Sequence, residues 1–121
     1  MNPTKEELDL IREYILLPIV ISIVNKNRTE TMQSTATLRS LYAAVASIVM
    51  TRMRADLAAV RQELRTHNIS VMDTQENRDG DSVHYPYVLR GQRGNFTIQR
   101  DAVKAEIGRR LNRYIMEVIR G

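Results

Sequence analysis

TATLRSLYAAVASIVMTRMRADLAAVRQELRTH, Thr35–His67, runs without a glycine or proline and decides the fold. Leu38, Leu41, Tyr42, Val45, Ile48, Val49, Met50, Met53, Leu57, Val60 and Leu64 recur at spacings that fit one apolar helix face. From Met50 to Leu64 the spacing alternates strictly between three and four, the heptad pattern, so this face needs a second helix against it. At about 1.5 Å rise per residue the helix would be roughly 45 Å long, more than the width of a domain of this size. The partner helix comes either from the same chain or from a second copy, and the sequence predicts a homodimer through this long helix. Ala43, Ala44, Ala46, Ala55, Ala58 and Ala59 raise helix propensity and let a neighbouring helix approach closely.

Working outward, Thr4 and Glu7 have capping-box spacing, with Leu8, Ile11, Tyr14 and Ile15 beginning an apolar stripe. A first helix should start at Thr4 or Lys5. Its second half, Ile15 to Val24, is apolar nearly all round but too short to span a bilayer, so it reads as a buried helix. Pro18 removes one backbone hydrogen bond there and should kink or end the helix near Leu16 or Leu17, at a cost on the order of 3 kcal/mol that burial must offset. Asn25 to Thr37 is polar and reads as a connection, with Ser34, Thr35 and Thr37 as alternative caps for the long helix.

After His67 the period changes to two. Ile69, Val71 and Asp73 alternate with Ser70, Met72 and Thr74. Gln75 to Asp81 is polar and contains the turn signal Asp79-Gly80. Val83, Tyr85, Tyr87 and Leu89 then alternate with His84, Pro86, Val88 and Arg90. This predicts a β-hairpin lying on a helix, with Pro86 marking an edge strand because it cannot donate to a ladder. Gly91-Gln92-Arg93-Gly94 reads as a further turn, and Asn95 to Ile98 as a short third strand or the approach to the last helix. That helix begins between Thr97 and Asp101. Val103, Ile107, Leu111, Tyr114, Ile115, Val118 and Ile119 form its apolar face, Gly108 weakens it, and arginines line its other faces.

The 121 residues suit one domain, 1–121, and the 43% hydrophobic and 26% charged fractions are those of an ordinary globular chain. No cysteine is present, which excludes disulfides and thiolate chemistry and fits a reducing compartment. The start has no basic-then-apolar leader pattern, so a cytoplasmic location without membrane attachment is expected. The net charge of +4 is carried mainly by arginine, the better residue for phosphate and carboxylate forks.

Catalytic signatures are missing. The sequence has no phosphate-binding loop, no dinucleotide fingerprint, no nucleophile elbow and no pair of histidines at metal-ligand spacing. His67 and His84 sit at the edges of expected elements, and Glu6 with Glu7 complements a helix N-terminus. The expectation is therefore a non-enzyme with no catalytic, cofactor or metal site. The candidate binding surface is His84, Tyr85, Tyr87, Arg90, Gln92, Arg93 and Asn95, continued by Arg100 and Lys104. Guanidinium groups beside tyrosines there could meet phosphates and bases. The competing reading makes the tyrosines core contacts and the arginines edge charges that block strand pairing. A winged helix-turn-helix reading with Thr51 to Leu64 as recognition helix needs a turn near Thr51 that the sequence does not supply.

Several stretches carry a resemblance: Tyr14-Ile15-Leu16-Leu17-Pro18-Ile19-Val20, Leu64-Arg65-Thr66-His67-Asn68-Ile69-Ser70-Val71, Tyr85-Pro86-Tyr87-Val88-Leu89-Arg90-Gly91 and Val103-Lys104-Ala105-Glu106-Ile107. Together they make the chain resemble the small YhjD-like proteins of spore-forming Gram-positive bacteria and their phages. The resemblance implies a compact α+β unit in a bacterial or phage cytoplasm and carries no functional residue with it.

The expected architecture is a mainly helical α+β domain, with a kinked helix, a long helix, a β-hairpin and a basic C-terminal helix. The expected function is that of a non-enzymatic accessory or regulatory protein that binds another macromolecule, in the first place a protein. The alternative is a nucleic-acid-binding regulator, favoured if Arg90, Arg93, Arg100, Lys104 and Arg110 share one face and disfavoured if acids intersperse them. A small-molecule pocket between hairpin and helices is a third reading.

Overall fold

The structure, a computed structural model, describes residues 2–35, 37–72 and 77–120, without the side chains of 77–79. Its elements are α1 (Lys5–Met32), α2 (Arg39–Thr66), β1 (Ile69–Val71), β2 (Asn77–Asp79), β3 (Ser82–Leu89), β4 (Gln92–Gln99) and α3 (Arg100–Arg120). The mainly helical α+β class expected from the sequence is what is found. The alternation expected at Asp73 and Thr74 and the polar Gln75 and Glu76 lie outside the described residues.

α1 begins at the expected capping box: Thr4 Oγ1 accepts from the Glu7 backbone N–H at 3.1 Å, and Glu7 Oε1 accepts from the Thr4 N–H at 3.0 Å. It does not end at Pro18. The proline is exposed, while Leu16, Leu17 and Val20 around it are buried, so packing on the far side carries the helix past the missing donor. The polar stretch expected to be a loop from Asn25 is helical to Met32. Thr29 Oγ1 donates back to the Asn25 carbonyl, and Arg28 donates to Asn25 and across to Ser47 of α2, so these polar side chains are satisfied without leaving the helix.

α2 is the expected long helix, unbroken through Thr51, but its N-cap is Leu38 with no side-chain cap. Ser34 instead donates to the Thr31 carbonyl at the end of α1, so none of the three expected caps is used. α1 and α2 lie antiparallel, since Glu7 meets His67 at one end and Arg28 meets Ser47 at the other. The heptad residues Met50, Met53, Leu57 and Leu64 are buried inside this chain. Met50, Met53 and Leu57 meet Leu17 and Val20 of α1 and Tyr114 of α3, while Leu64 packs toward the sheet.

The expected hairpin is part of a four-stranded antiparallel sheet. β3 pairs with β4 over its full length on one side, and with β1 and then β2 on the other. Pro86 is therefore central, not at an edge. Its carbonyl accepts from the Met72 N–H at 2.9 Å. In an antiparallel strand the N–H and C=O of one residue face the same neighbour, so its missing donor falls between the stretches paired by β1 and β2. The turn also moves. It is Arg90-Gly91, both at positive φ (46° and 87°) as a two-residue type I′ hairpin requires, and Gln92 and Arg93 already belong to β4.

One sheet face packs on the helices. Val83, Tyr85, Tyr87, Leu89, Phe96 and Ile98 join Ile11, Ile15 and Leu16 of α1 in a core beneath the lower half of the helical pair. The upper half is closed by α3, through Tyr114 and the half-buried Ile107, Leu111 and Ile115.

Candidate functional site

The nine residues singled out from sequence do not form one surface. Tyr85 and Tyr87 are buried, because the odd positions of β3 face the helices, and they stand opposite Phe96 and Gly94. His84, Arg93 and Asn95 lie on the outer sheet face, where His84 Nδ1 is 2.8 Å from Thr97 Oγ1. Gln92 opens β4 beside the turn. Arg100 and Lys104 stand exposed at the start of α3, the other end of that strand. At about 3.3 Å per residue this separates Arg93 from Arg100 by roughly 23 Å.

Arg90 has turned inward. Its guanidinium donates to Glu7 Oε2 at 2.8 Å, to Glu7 Oε1 at 3.4 Å and to the His67 carbonyl at 2.9 Å. The I′ turn aims it there, and its backbone N–H bonds to the carbonyl of Asn68, itself at φ 56° after the end of α2. The Glu7 carboxylate is 3% exposed, which for a charge requires partners on every side. The Arg90 fork, then the Thr4 N–H, and also His67 lower its pKa to about 2, against the opposing effect of burial. Because that carboxylate only accepts, the 3.2 Å contact from His67 Nδ1 is an N–H donation. Nε2 faces Glu63 Oε2 at 3.8 Å, and Glu6 stands beside them.

A pH prediction follows from Glu7. Its folded pKa is below the ordinary 4.5, so its stabilising effect is complete above that value and is lost as pH falls from about 4.5 toward 2. Urea midpoints measured across this range should drop, and Glu7→Gln should flatten the drop. An unchanged slope in Glu7→Gln would remove Glu7 as its source.

Arg110, expected among the surface cations, is 7% exposed and held between Glu13 of α1 and Glu106 one turn back on α3. Glu106 also takes Arg109 at 3.0 Å, and its carboxyl is lowered first by Arg110. Nearby, the Tyr114 hydroxyl donates to Asp56, and burial followed by that carboxylate pushes the phenol above its ordinary value.

At the opposite end of the helices from the sheet, α1, α2 and α3 leave an apolar groove of ≈ 510 Å³. Val24, Val45, Ala46, Val49, Leu111 and Ile115 line it, and Leu41, Tyr42 and Ile119 stand 55–67% exposed along it. The helical spacing of Leu41, Tyr42 and Ile119 predicts buried faces for all three. Their period is correct, but α1 and α3 leave the first turns of α2 uncovered, and Ile119 in the last turn of α3 borders the same open groove. Among the described residues no helix is long and apolar enough to cross a membrane.

The family profile described as YhjD protein matches residues 2–119. The chain is also 28% identical to "Uncharacterized protein YhjD" of Bacillus subtilis (strain 168) over 114 residues, 94% of this chain and 93% of that protein. No solved structure matches.

Proposed function

The chain belongs to the YhjD family, and on that premise we propose that it is a small non-enzymatic bacterial or phage accessory protein that works by holding another protein. The groove between α1, α2 and α3 takes the apolar face of a partner helix. The observation that carries this is the row of Leu41, Tyr42 and Ile119, each more than half exposed beside an apolar channel, on a protein whose heptad face is otherwise filled by its own helices. The helix ends around the groove carry Lys26, Arg28, Arg39, Arg113 and Arg120 against Glu30 and Glu117, so the partner helix has acidic flanks.

The nucleic-acid alternative draws less support. Arg90 and Arg110 are engaged by carboxylates, and Arg93 and Arg100 lie at opposite ends of β4.

A fluorescein-labelled amphipathic peptide with leucines at i, i+3, i+4 and i+7 and glutamate flanks should bind the full chain. A lysine-flanked twin should bind at least about tenfold more weakly, and Tyr42→Glu should remove binding. Equal or absent binding of both peptides overturns the reading. A mass twice 13.9 kDa in light scattering that Tyr42→Glu halves gives the groove to a second copy instead. Salt-sensitive duplex binding lost on Arg93→Glu moves the function to nucleic acid.

A further inference from the structure

We propose that Glu6, Glu63 and His67 bind one divalent transition-metal ion of the zinc type. The ion ties the first turn of α1 to the last turn of α2 at the sheet end of the molecule. The three ligand atoms lie within 4.8 Å of one another, and His67 follows Glu63 by one helical turn, so both project from the same face of α2. Bonds of about 2.1 Å in tetrahedral geometry place ligand atoms about 3.4 Å apart. Glu6 and Glu63 are exposed side chains free to close that difference.

Three observations distinguish this trio from an exposed acidic cluster. The buried Glu7 carboxylate accepts from His67 Nδ1, the outer carboxylate–imidazole contact that orients metal-bound histidines and raises their basicity. With Nδ1 engaged by Glu7, Nε2 is the ring nitrogen turned toward the Glu63 carboxylate, at 3.8 Å, so it is the atom that can share an ion with Glu63. Charge agrees as well. Arg90 neutralises Glu7, so Glu6 and Glu63 remain to balance a dication, and the carbonyl end of α2 adds to the attraction. One imidazole with two carboxylates suits zinc or its neighbours better than calcium or magnesium, which take oxygen ligands alone, and leaves a fourth position to water. In the sequence only the Glu63-x-x-x-His67 spacing marks the site, because the third ligand is more than fifty residues away in the chain.

The test is isothermal titration of the tag-free, chelator-treated full chain with zinc chloride alone. We expect one zinc per chain in the micromolar range or tighter, and a melting temperature raised on the order of 10 °C at about a hundredfold excess over Kd. Glu6→Gln and Glu63→Gln change only exposed side chains and should keep the zinc-free melting temperature while weakening zinc at least about tenfold. Cobalt should add visible absorption bands that His67→Ala removes. No saturable uptake, or full zinc affinity in either glutamine variant, overturns the proposal. The groove lies at the other end of the helices, so peptide binding there survives failure of this site, and the reverse.

Discussion

Leu16→Ala is expected to lower the unfolding free energy by about 2–5 kcal/mol, whereas Leu41→Ala should change it by no more than about 0.5 kcal/mol. Leu16 is 0% exposed and lies where α1 crosses from the helical core to the sheet-side core. Its cluster includes Ile11 and Ile15 of its own helix, Leu64 of α2, and Tyr85 and Phe96 of the sheet. Truncation there removes contacts to every layer, and neighbours fixed on a sheet and two long helices cannot collapse into the space. Leu41 is 56% exposed and borders only the groove, so its side chain gains little from folding. Paired urea titrations of the two variants check the contrast. Equal losses would mean that the groove is closed in the folded protein and would remove the basis of the proposed protein-binding site.

Gly94→Ala should cost about 1–3 kcal/mol although it adds a single methyl group. Gly94 faces Tyr87 across β3 and β4, and the tyrosine ring lies over the space a side chain would fill. A β-carbon at position 94 would come within 2.5 Å of the ring Cζ and 2.6 Å of the hydroxyl, closer than non-bonded atoms tolerate. The ring is 7% exposed and packed against the helical face, so it cannot swing out without opening the core. This pairing of an aromatic side chain over a strand glycine restores the packing the glycine lacks. A double-mutant cycle tests the cause: in a Tyr87→Leu background the same alanine should cost under about 0.5 kcal/mol, because the obstructing atoms are gone. An undiminished cost in that background would place the effect in the strand backbone instead.

Local patterns in the chain were enough for the helix over α2, the Thr4–Glu7 capping box, the alternation of β3 and the apolar face of α3. Each rests on contacts within a turn or two, or on a period imposed by burial on one side. The resemblance to YhjD-like proteins was also legible in short segments spread along the chain, and the family profile over residues 2–119 shows the family.

The misplaced boundaries share a physical reason. Pro18 and the polar Asn25–Met32 segment argue against helix locally, and packing of α1 along α2 overrides both. Pro86 reads as an edge residue because the missing donor is visible in sequence, but which neighbour that donor would face depends on the register of three other strands. Arginine spacing says how many cations there are and nothing about their partners. Arg90 meets Glu7 across eighty-three residues, and Arg110 meets Glu13 across ninety-seven. The fold class and the main helical faces were therefore written in short-range periodicity. The inward turn of Arg90, the Glu7–His67 contact beside Glu6 and Glu63, and the uncovered groove at the far end arise only when distant segments meet. Charge pairing and burial are properties of those meetings, not of neighbours along the chain.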